Sequence, residues 1–278
     1  MLKAIDIARA VERFAPLGTQ AEWDNSGFSV GDPQAAVHKV LIALDCTLDV
    51  VEEAVEKKCD MILTHHPLIF GGCKSVLVNE NFPTEGAPAD LLQGRAIATA
   101  IKNNITIYSS HTPLDKAHGG LNDLMAKRLN LQNCKVLSAD GFGAVGSLKQ
   151  KMTVDEFIRF VKKQFNVKHL RCSKPIGYGI ATAGRAAEEA GKIKKVAVSS
   201  GAGQGSVRDA LAAGAQALVT ADVSHHNFYQ PEGFMILDIG HYESEWAAVE
   251  LLESIVKKNF STFAVSLSKR DVSPIFYR

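Results

Sequence analysis

Apolar residues recur at helical spacing at the start of the chain, where Leu2, Ile5, Ala8 and Val11 share one face and Lys3, Asp6, Arg9 and Glu12 lie off it. The pattern predicts an amphipathic helix that Pro16 and Gly18 end. A polar loop with Trp23, Asp24, Asn25, Gly27 and Gly31 follows. Residues 40–44 then form a short, continuous apolar run, which predicts a buried strand. Residues 49–58 read as a helix, and 61–63 as a second strand that stops at Thr64-His65-His66. After a Gly-, Pro- and Asn-rich stretch over 71–88, residues 91–103 read as a helix and 105–108 as a third strand stopping at Ser109-Ser110-His111. This alternation of strand and helix predicts α/β layers around a mixed, largely parallel sheet.

The second half repeats the plan. Lys195-Val196-Ala197-Val198 resembles Lys39-Val40-Leu41-Ile42, and Ala217-Leu218-Val219-Thr220 resembles Met61-Ile62-Leu63-Thr64. Both pairs, and Ala54 with Ala210 between them, share an offset of 156 residues. Residues 235–237 answer 106–108. An offset of 130 there places Ser110-His111 on Gly240-His241 and Asp115 on Glu245. The period is too long for a solenoid array, so two pseudo-equivalent lobes are expected. We place the first at 1–130 and the second at 131–278. Between the repeats, residues 144–148 look like a strand and 154–165 like a helix, and no stretch looks like a flexible linker.

Composition changes this picture little. Hydrophobic residues make up 46% of 278 positions and charged residues 22%, as in ordinary globular proteins. A net charge of +1 gives no broad electrostatic case for nucleic acid or an anionic membrane. The first residues form neither a signal peptide nor a membrane span, so cytoplasmic residence is the default expectation. The five cysteines, Cys46, Cys59, Cys73, Cys134 and Cys172, include no CxxC pair. They point away from a disulfide framework or zinc ribbon and towards small buried hydrophobes.

The candidate chemistry sits where the predicted strands end, the place at which loops of open α/β sheets gather ligands. His65 and His66 follow the second strand directly. Neighbours on an extended chain point opposite ways, so these two would serve one ion poorly; a sharp turn could aim each at a different ion. His111-Thr-Pro-Leu-Asp115 and His241-Tyr-Glu-Ser-Glu245 follow third strands. His241 and Glu245, four apart on a predicted helix reaching Lys257, share a face. Imidazole nitrogens with carboxylate oxygens suit Zn²⁺, Mn²⁺, Fe²⁺ or Ni²⁺, and a shared carboxylate can bridge two ions. His225 and His226 are either acid/base groups lining a site or an ordinary polar loop. Gly201-Ala-Gly-Gln-Gly205 is either a phosphate-binding helix start or a plain tight turn, and it lacks the full dinucleotide spacing.

Taken together, these motifs resemble the GTP cyclohydrolase I type 2, or Nif-three-like, family. The matching segments are Glu22-Trp-Asp-Asn-Ser-Gly27, Thr64-His-His-Pro-Leu-Ile-Phe70, Ser110-His-Thr-Pro-Leu-Asp115 and Gly119-Gly-Leu-Asn122. They continue with Gly201-Ala-Gly-Gln-Gly205, Thr220-Ala-Asp222, His225-His226 and Gly240-His-Tyr-Glu-Ser-Glu245, in order along nearly the whole chain. The resemblance implies two intertwined αβα repeats, a toroidal homo-hexamer and a dinuclear centre of two divalent ions held by His65, His66, Asp115, His241 and Glu245. Some members carry a large inserted middle domain, which a chain of 278 residues is expected to be too short to hold. The resemblance further implies a metal-dependent hydrolase acting on a nucleotide or related small molecule, with ring opening of GTP at C8 and release of formate as the named reaction. His111 is not a family ligand and is the first candidate for moving protons, or a group that orients Asp115; Glu243 is a second candidate. The alternative reading is a non-enzymatic metal-binding scaffold or chaperone acting through protein partners.

Overall fold

A computed structural model describes residues 1–78, 86–174 and 192–277, so part of the 71–88 stretch lies outside the described residues. The described chain is α/β, and its strands form two mixed, largely parallel sheets. By contacts it forms two compact units: Met1–Ala117 with Ala248–Phe276, and His118–Ala247 with Tyr277.

In the first unit, helix α1 (Ala4–Phe14) buries Ala8 and Val11 of the expected face together with Ala4, Ile7 and Ala10, while Leu2 and Ile5 are only half-buried, so the buried stripe is rotated from the one expected. Strands β1 (Gly27–Val30), β2 (Lys39–Ala43), β3 (Met61–Thr64) and β4 (Thr106–Ser109) alternate with helices α2 (Leu48–Glu56) and α3 (Ala89–Lys102). Thr47 caps α2 by accepting from the Val50 N–H, which satisfies a donor the helix cannot use itself. A short helix, α4 (Thr112–Lys116), follows β4.

The second unit begins with α5 (Leu121–Arg128), β5 (Gln132–Val136), β6 (Ala144–Thr153) and α6 (Val154–Phe165). Thr153 and Glu156 form a reciprocal capping box at the start of α6, and Asn166 ends it in the left-handed conformation. It continues through β7 (Arg171–Cys172), β8 (Lys192–Val198), α7 (Val207–Ala212), β9 (Ala217–Thr220), β10 (Met235–Asp238) and α8 (His241–Glu245). Helix α9 (Ala247–Asn259) and strand β11 (Ala264–Leu267) carry the chain back into the first unit. The single helix expected from His241 to Lys257 is thus two, separated at Trp246.

The first sheet has the order β1-β4-β3-β2-β11, with β1 antiparallel and the others parallel. The second has the order β5-β6-β8-β9-β10-β7, with β8, β9 and β10 parallel. Val40 pairs with Met61 and Val196 with Ala217, so the offset of 156 holds in the hydrogen-bond register itself. Alternation along the strands builds the second core: Val196, Val198, Ala217, Val219, Met235 and Leu237 join one cluster, and Ala197, Leu218 and Ile236 join another.

The alignment of strand residues 235–237 with 106–108 holds, since Thr106 pairs with Met61 and Met235 with Ala217, but the offset of 130 for the motifs that follow needs correction by one residue. Ser110 N–H donates to the Thr64 carbonyl, and Ile239 N–H donates to that of Thr220. Position 110 therefore corresponds to 239, and His111 to Gly240 rather than to His241.

Strand β11, which the periodicity did not reveal, is fastened by side chains. Buried Glu53 accepts from the backbone N–H groups of Lys269 (3.0 Å) and Arg270 (3.1 Å), from the Ser268 hydroxyl, and from Lys57 Nζ. Burial alone would raise the Glu53 carboxyl, but these bonds bring it down to about 2. Asp271 in turn accepts from the Leu44 N–H at the end of β2.

Candidate metal centre

In the first unit, three parallel strands end side by side, and each contributes polar groups. After β3 the chain bends at His65 and His66. Thr64 holds the bend: its hydroxyl donates to the His66 carbonyl at 2.7 Å, and the His66 N–H donates to the Leu44 carbonyl at 2.9 Å. This bend removes the alternation of an extended chain. The two rings do not diverge; their centroids lie 4.9 Å apart. His111 caps α4, and its ring lies 5.2 Å from that of His65 and 5.4 Å from that of His66. His65, His66 and His111 each offer one ligand atom, and all three atoms lie within 4.8 Å of one another. Asp115, buried on α4, has Oδ1 3.8 Å from His65 Nε2.

The second unit presents a smaller pair. His241 and Glu245 lie on one face of α8, with Nε2 and Oε2 2.9 Å apart. Glu245 is buried. Gly201, at φ +55°, passes so close that a Cβ there would collide with Glu245 Oε1. The same glycine donates its N–H to Ser244 Oγ at 3.0 Å, and Ser244 donates to the His241 carbonyl at 2.7 Å. The glycine loop thus holds the helix that carries both donors.

All four histidines are oriented in the same way. His65 Nδ1 lies 2.9 Å from the Ser110 carbonyl, and His66 Nδ1 2.8 Å from Asp45 Oδ1. His111 Nδ1 lies 2.8 Å from Asp24 Oδ1, and His241 Nδ1 2.7 Å from Asp222 Oδ2. A carbonyl or carboxylate at Nδ1 requires the proton there, so that in the neutral ring the Nε2 lone pair is the one turned to a cation, the arrangement typical of histidines that bind metals. With only imidazole and carboxylate donors, the set fits the divalent ions expected from the sequence.

Asp24, Asp45 and Asp222 are therefore candidate positioning residues that the sequence reading did not single out, Asp24 and Asp222 entering it only within longer segments. Each is a lone carboxylate in a loop, with no spacing signal. Asp24 is the most embedded: its side chain is fully buried and accepts from Ser26 Oγ (2.8 Å), the Thr112 N–H (3.1 Å) and the Thr112 hydroxyl besides His111. Burial alone would raise its carboxyl, yet these bonds and the charge of His111 hold it well below the usual carboxylate range.

The remaining sequence candidates lie elsewhere. The Glu243 carboxylate folds against Gly240, at the start of its own helix. His225 and His226 lie exposed on a 3₁₀ turn, 5.4 Å apart, which matches the ordinary polar-loop reading. Gly203 donates its N–H to Thr220 Oγ1, and Ser200 donates to Asn122 Oδ1. These two N–H groups are committed within the fold. Cys46 and Cys59 are buried as expected, and burial beside Asp45 and Asp271 pushes the Cys46 thiol up to about 12. Cys73, Cys134 and Cys172 are exposed free thiols, contrary to that expectation, because they fall on loops and short edge strands. Among the described residues, no helix is long and apolar enough to cross a membrane.

Comparison with known proteins bears on this arrangement. Residues 2–274 match the family model described as Duf34/NIF3 (NGG1p interacting factor 3). A Clostridium perfringens protein named GTP cyclohydrolase 1 type 2 homolog is 36% identical, over 97% of this chain and 98% of that one. A protein of the same name from Clostridium acetobutylicum is 32% identical, over 100% and 99%. Among solved structures, a Staphylococcus aureus hypothetical protein superposes with a TM-score of 0.81 at 26% identity, over 99% of both chains. Reduced HcgD from Methanocaldococcus jannaschii does so with a TM-score of 0.76 at 29% identity, over 96% of this chain and 98% of its own.

Proposed function

The chain belongs to the Duf34/NIF3 family, and on that premise we propose that it is a dinuclear metal-dependent hydrolase acting on a nucleotide or related small molecule. The proposed ligands are His65, His66, Asp115, His241 and Glu245. The observation that carries the reading is the shared orientation of the histidines, each held at Nδ1 by a carboxylate or carbonyl. When bound, two divalent ions would lower the pKa of water and polarise the bond under attack. The family relatives named for GTP cyclohydrolase make a nucleotide the first substrate to try.

His111 carries the proton-moving role in this proposal. Its Nδ1 proton is fixed on buried Asp24, and its Nε2 is left to accept a proton from water or return one to a leaving group. A buried carboxylate behind a histidine stabilises the imidazolium that forms, as in other His–Asp pairs. Glu243 fits less well, since its carboxylate lies against Gly240.

The test uses purified protein loaded with Mn²⁺, Fe²⁺ or Zn²⁺ and presented with a panel of nucleotides. Product formation that disappears in His111→Ala, with the metal retained, supports the enzyme. Two ions bound and no turnover across the panel would leave the scaffold reading instead. Elemental analysis that finds near-zero metal after loading would sink both. We also propose the homo-hexamer as the working assembly; light scattering that reports the mass of one chain would rule it out.

A further inference from the structure

Trp23 is 60% exposed and Phe70 53% exposed, and their ring centroids lie 6.0 Å apart at 72°. Both rings also meet His111, at 5.8 Å and 73° for Trp23 and at 6.0 Å and 81° for Phe70. His111 is thus a hinge between two groups: on one side lie His65 and His66, on the other two exposed aromatic rings set edge to face.

The aromatic pair is held in place by its loops. Asp24, next to Trp23, is anchored by the bonds to His111, Thr112 and Ser26. Asn25 Nδ2 donates to the Ile69 carbonyl at 2.7 Å, which ties the tryptophan loop to the residue before Phe70. Gln93 Nε2 donates to the Leu68 carbonyl at 2.8 Å and ties the same loop to α3. Beside Phe70 opens a hollow of about 450 Å³, lined also by Gly71, Gly72, Lys74, Asp90 and Gln93. That volume falls within the range of small-ligand sites, about 300–1,000 Å³.

We propose that Trp23 and Phe70 form a stacking subsite for a planar heteroaromatic ring of nucleobase size, on the open side of His111. A flat ring lying on one aromatic face meets the edge of the other, so both quadrupoles are satisfied at once. An aliphatic group would gain only contact area from the same corner. The hollow beyond Phe70 is lined by Lys74 and Asp90, which pair with each other at 3.5 Å and would meet the polar edge or substituents of such a ring by opening that ion pair. The proposal rests on reading this as a small-molecule site, but stacking itself needs no metal, so the two can fail separately.

The experiment is calorimetric titration of the full-length protein, freed of metal by a chelator and then reloaded, with guanosine, adenosine and ribose as probes. The two nucleosides should bind saturably with or without metal, and ribose should not. Phe70→Ala and Trp23→Ala should each weaken nucleoside binding by about 5- to 100-fold, the loss of one stacked ring, while Trp23→Phe should retain it. Each variant should take up as much metal as the parent, which separates loss of the ring site from collapse of the fold. Metal uptake without nucleoside binding would overturn the subsite and leave the metal reading standing. Nucleoside binding by protein that takes up no metal would do the reverse. Binding unchanged in Phe70→Ala, or Trp23 fluorescence that shifts to the exposed range only on dilution of an assembly, would also overturn the subsite; the latter would mean that a second copy covers it.

Discussion

The two units build the same strand-end platform and furnish it differently. In the first, the parallel strands lead into Asp45, His65-His66 and His111. In the second, the corresponding positions hold Gly201, Ala221-Asp222 and Gly240. His241 and Glu245 therefore do not stand where His111 and Asp115 stand; they come one residue later in the helix. The backbone explains the shift. Gly240 sits at φ +93° with the Glu243 carboxylate folded over it, so a histidine there would be both strained and crowded. His111 occupies the matching position at φ −93°, where a side chain fits. A duplicated scaffold thus need not carry duplicated chemistry: the His-x-x-x-acid spacing appears in both units, yet its members are not structural equivalents.

The contrast can be broken first at the donors themselves. His65→Ala removes a fully buried ring, and Glu245→Gln removes the buried carboxylate charge of the second unit. Each should lower metal affinity by more than about 100-fold, beyond the range typical of outer partners; competition with a chromogenic chelator measures it. If only the first unit's variant has an effect, the second unit's pair is not a ligand set.

The second-largest effect concerns what closes the first sheet. Its outer strand, β11, runs parallel to β2, whereas the second sheet has antiparallel β6 in that place. Glu53→Gln should destabilise the first unit by about 3 kcal/mol at neutral pH, from a carboxyl lowered from 4.5 to about 2. A depressed carboxylate stabilises the fold above its unfolded value and loses that contribution as pH falls through the folded one. The gap between parent and variant in urea unfolding should therefore shrink between pH 4.5 and 2. A gap independent of pH would show that the clamp acts by shape alone.

Smaller again are the carboxylates behind the rings. Asp24→Asn and Asp222→Asn should each disturb one histidine, His111 or His241. Asp222→Asn should weaken metal binding by about 10- to 100-fold, and Asp24→Asn should lower turnover with metal retained. Equal loss of metal in both would make His111 a ligand and erase its proposed role. Smallest of all, Glu243→Gln should change metal affinity by no more than about twofold, since its carboxylate lies against Gly240 rather than beside the His241 ring; a loss matching that of Glu245→Gln would reverse the assignment on α8.

Much of this was legible in the sequence, and the reason is periodicity. Short apolar runs at 40–44, 61–63 and 105–108, with their counterparts, give the central strands of both sheets, because strands buried on both faces read as continuous apolar segments. The histidines and acids at their ends follow from topology. What stayed hidden depends on partners far away in sequence. β11 is only partly buried and lacks an apolar run, so nothing local marks it, and its place beside β2 is set by Glu53 and Asp271. Asp24, Asp45 and Asp222 are single acids in polar loops, indistinguishable by type from solvated ones until a ring nitrogen is found beside each. The one-residue slip at His241 is already implied by the strands, since 235–237 answer 106–108 at an offset of 129, and the equal spacing of His and acid in the two motifs masked it.

The return of α9 and β11 to the first unit has a consequence for synthesis. A nascent chain of 247 residues contains every strand of the second sheet and lacks the fifth strand of the first. Until residues 264–271 emerge from the ribosome, β2 presents an apolar open edge, and Glu53 and Leu44 wait for bonds that do not yet exist. The unit that begins first is completed last. Between those two moments it carries an unpaired strand edge, the feature that makes such intermediates prone to aggregate.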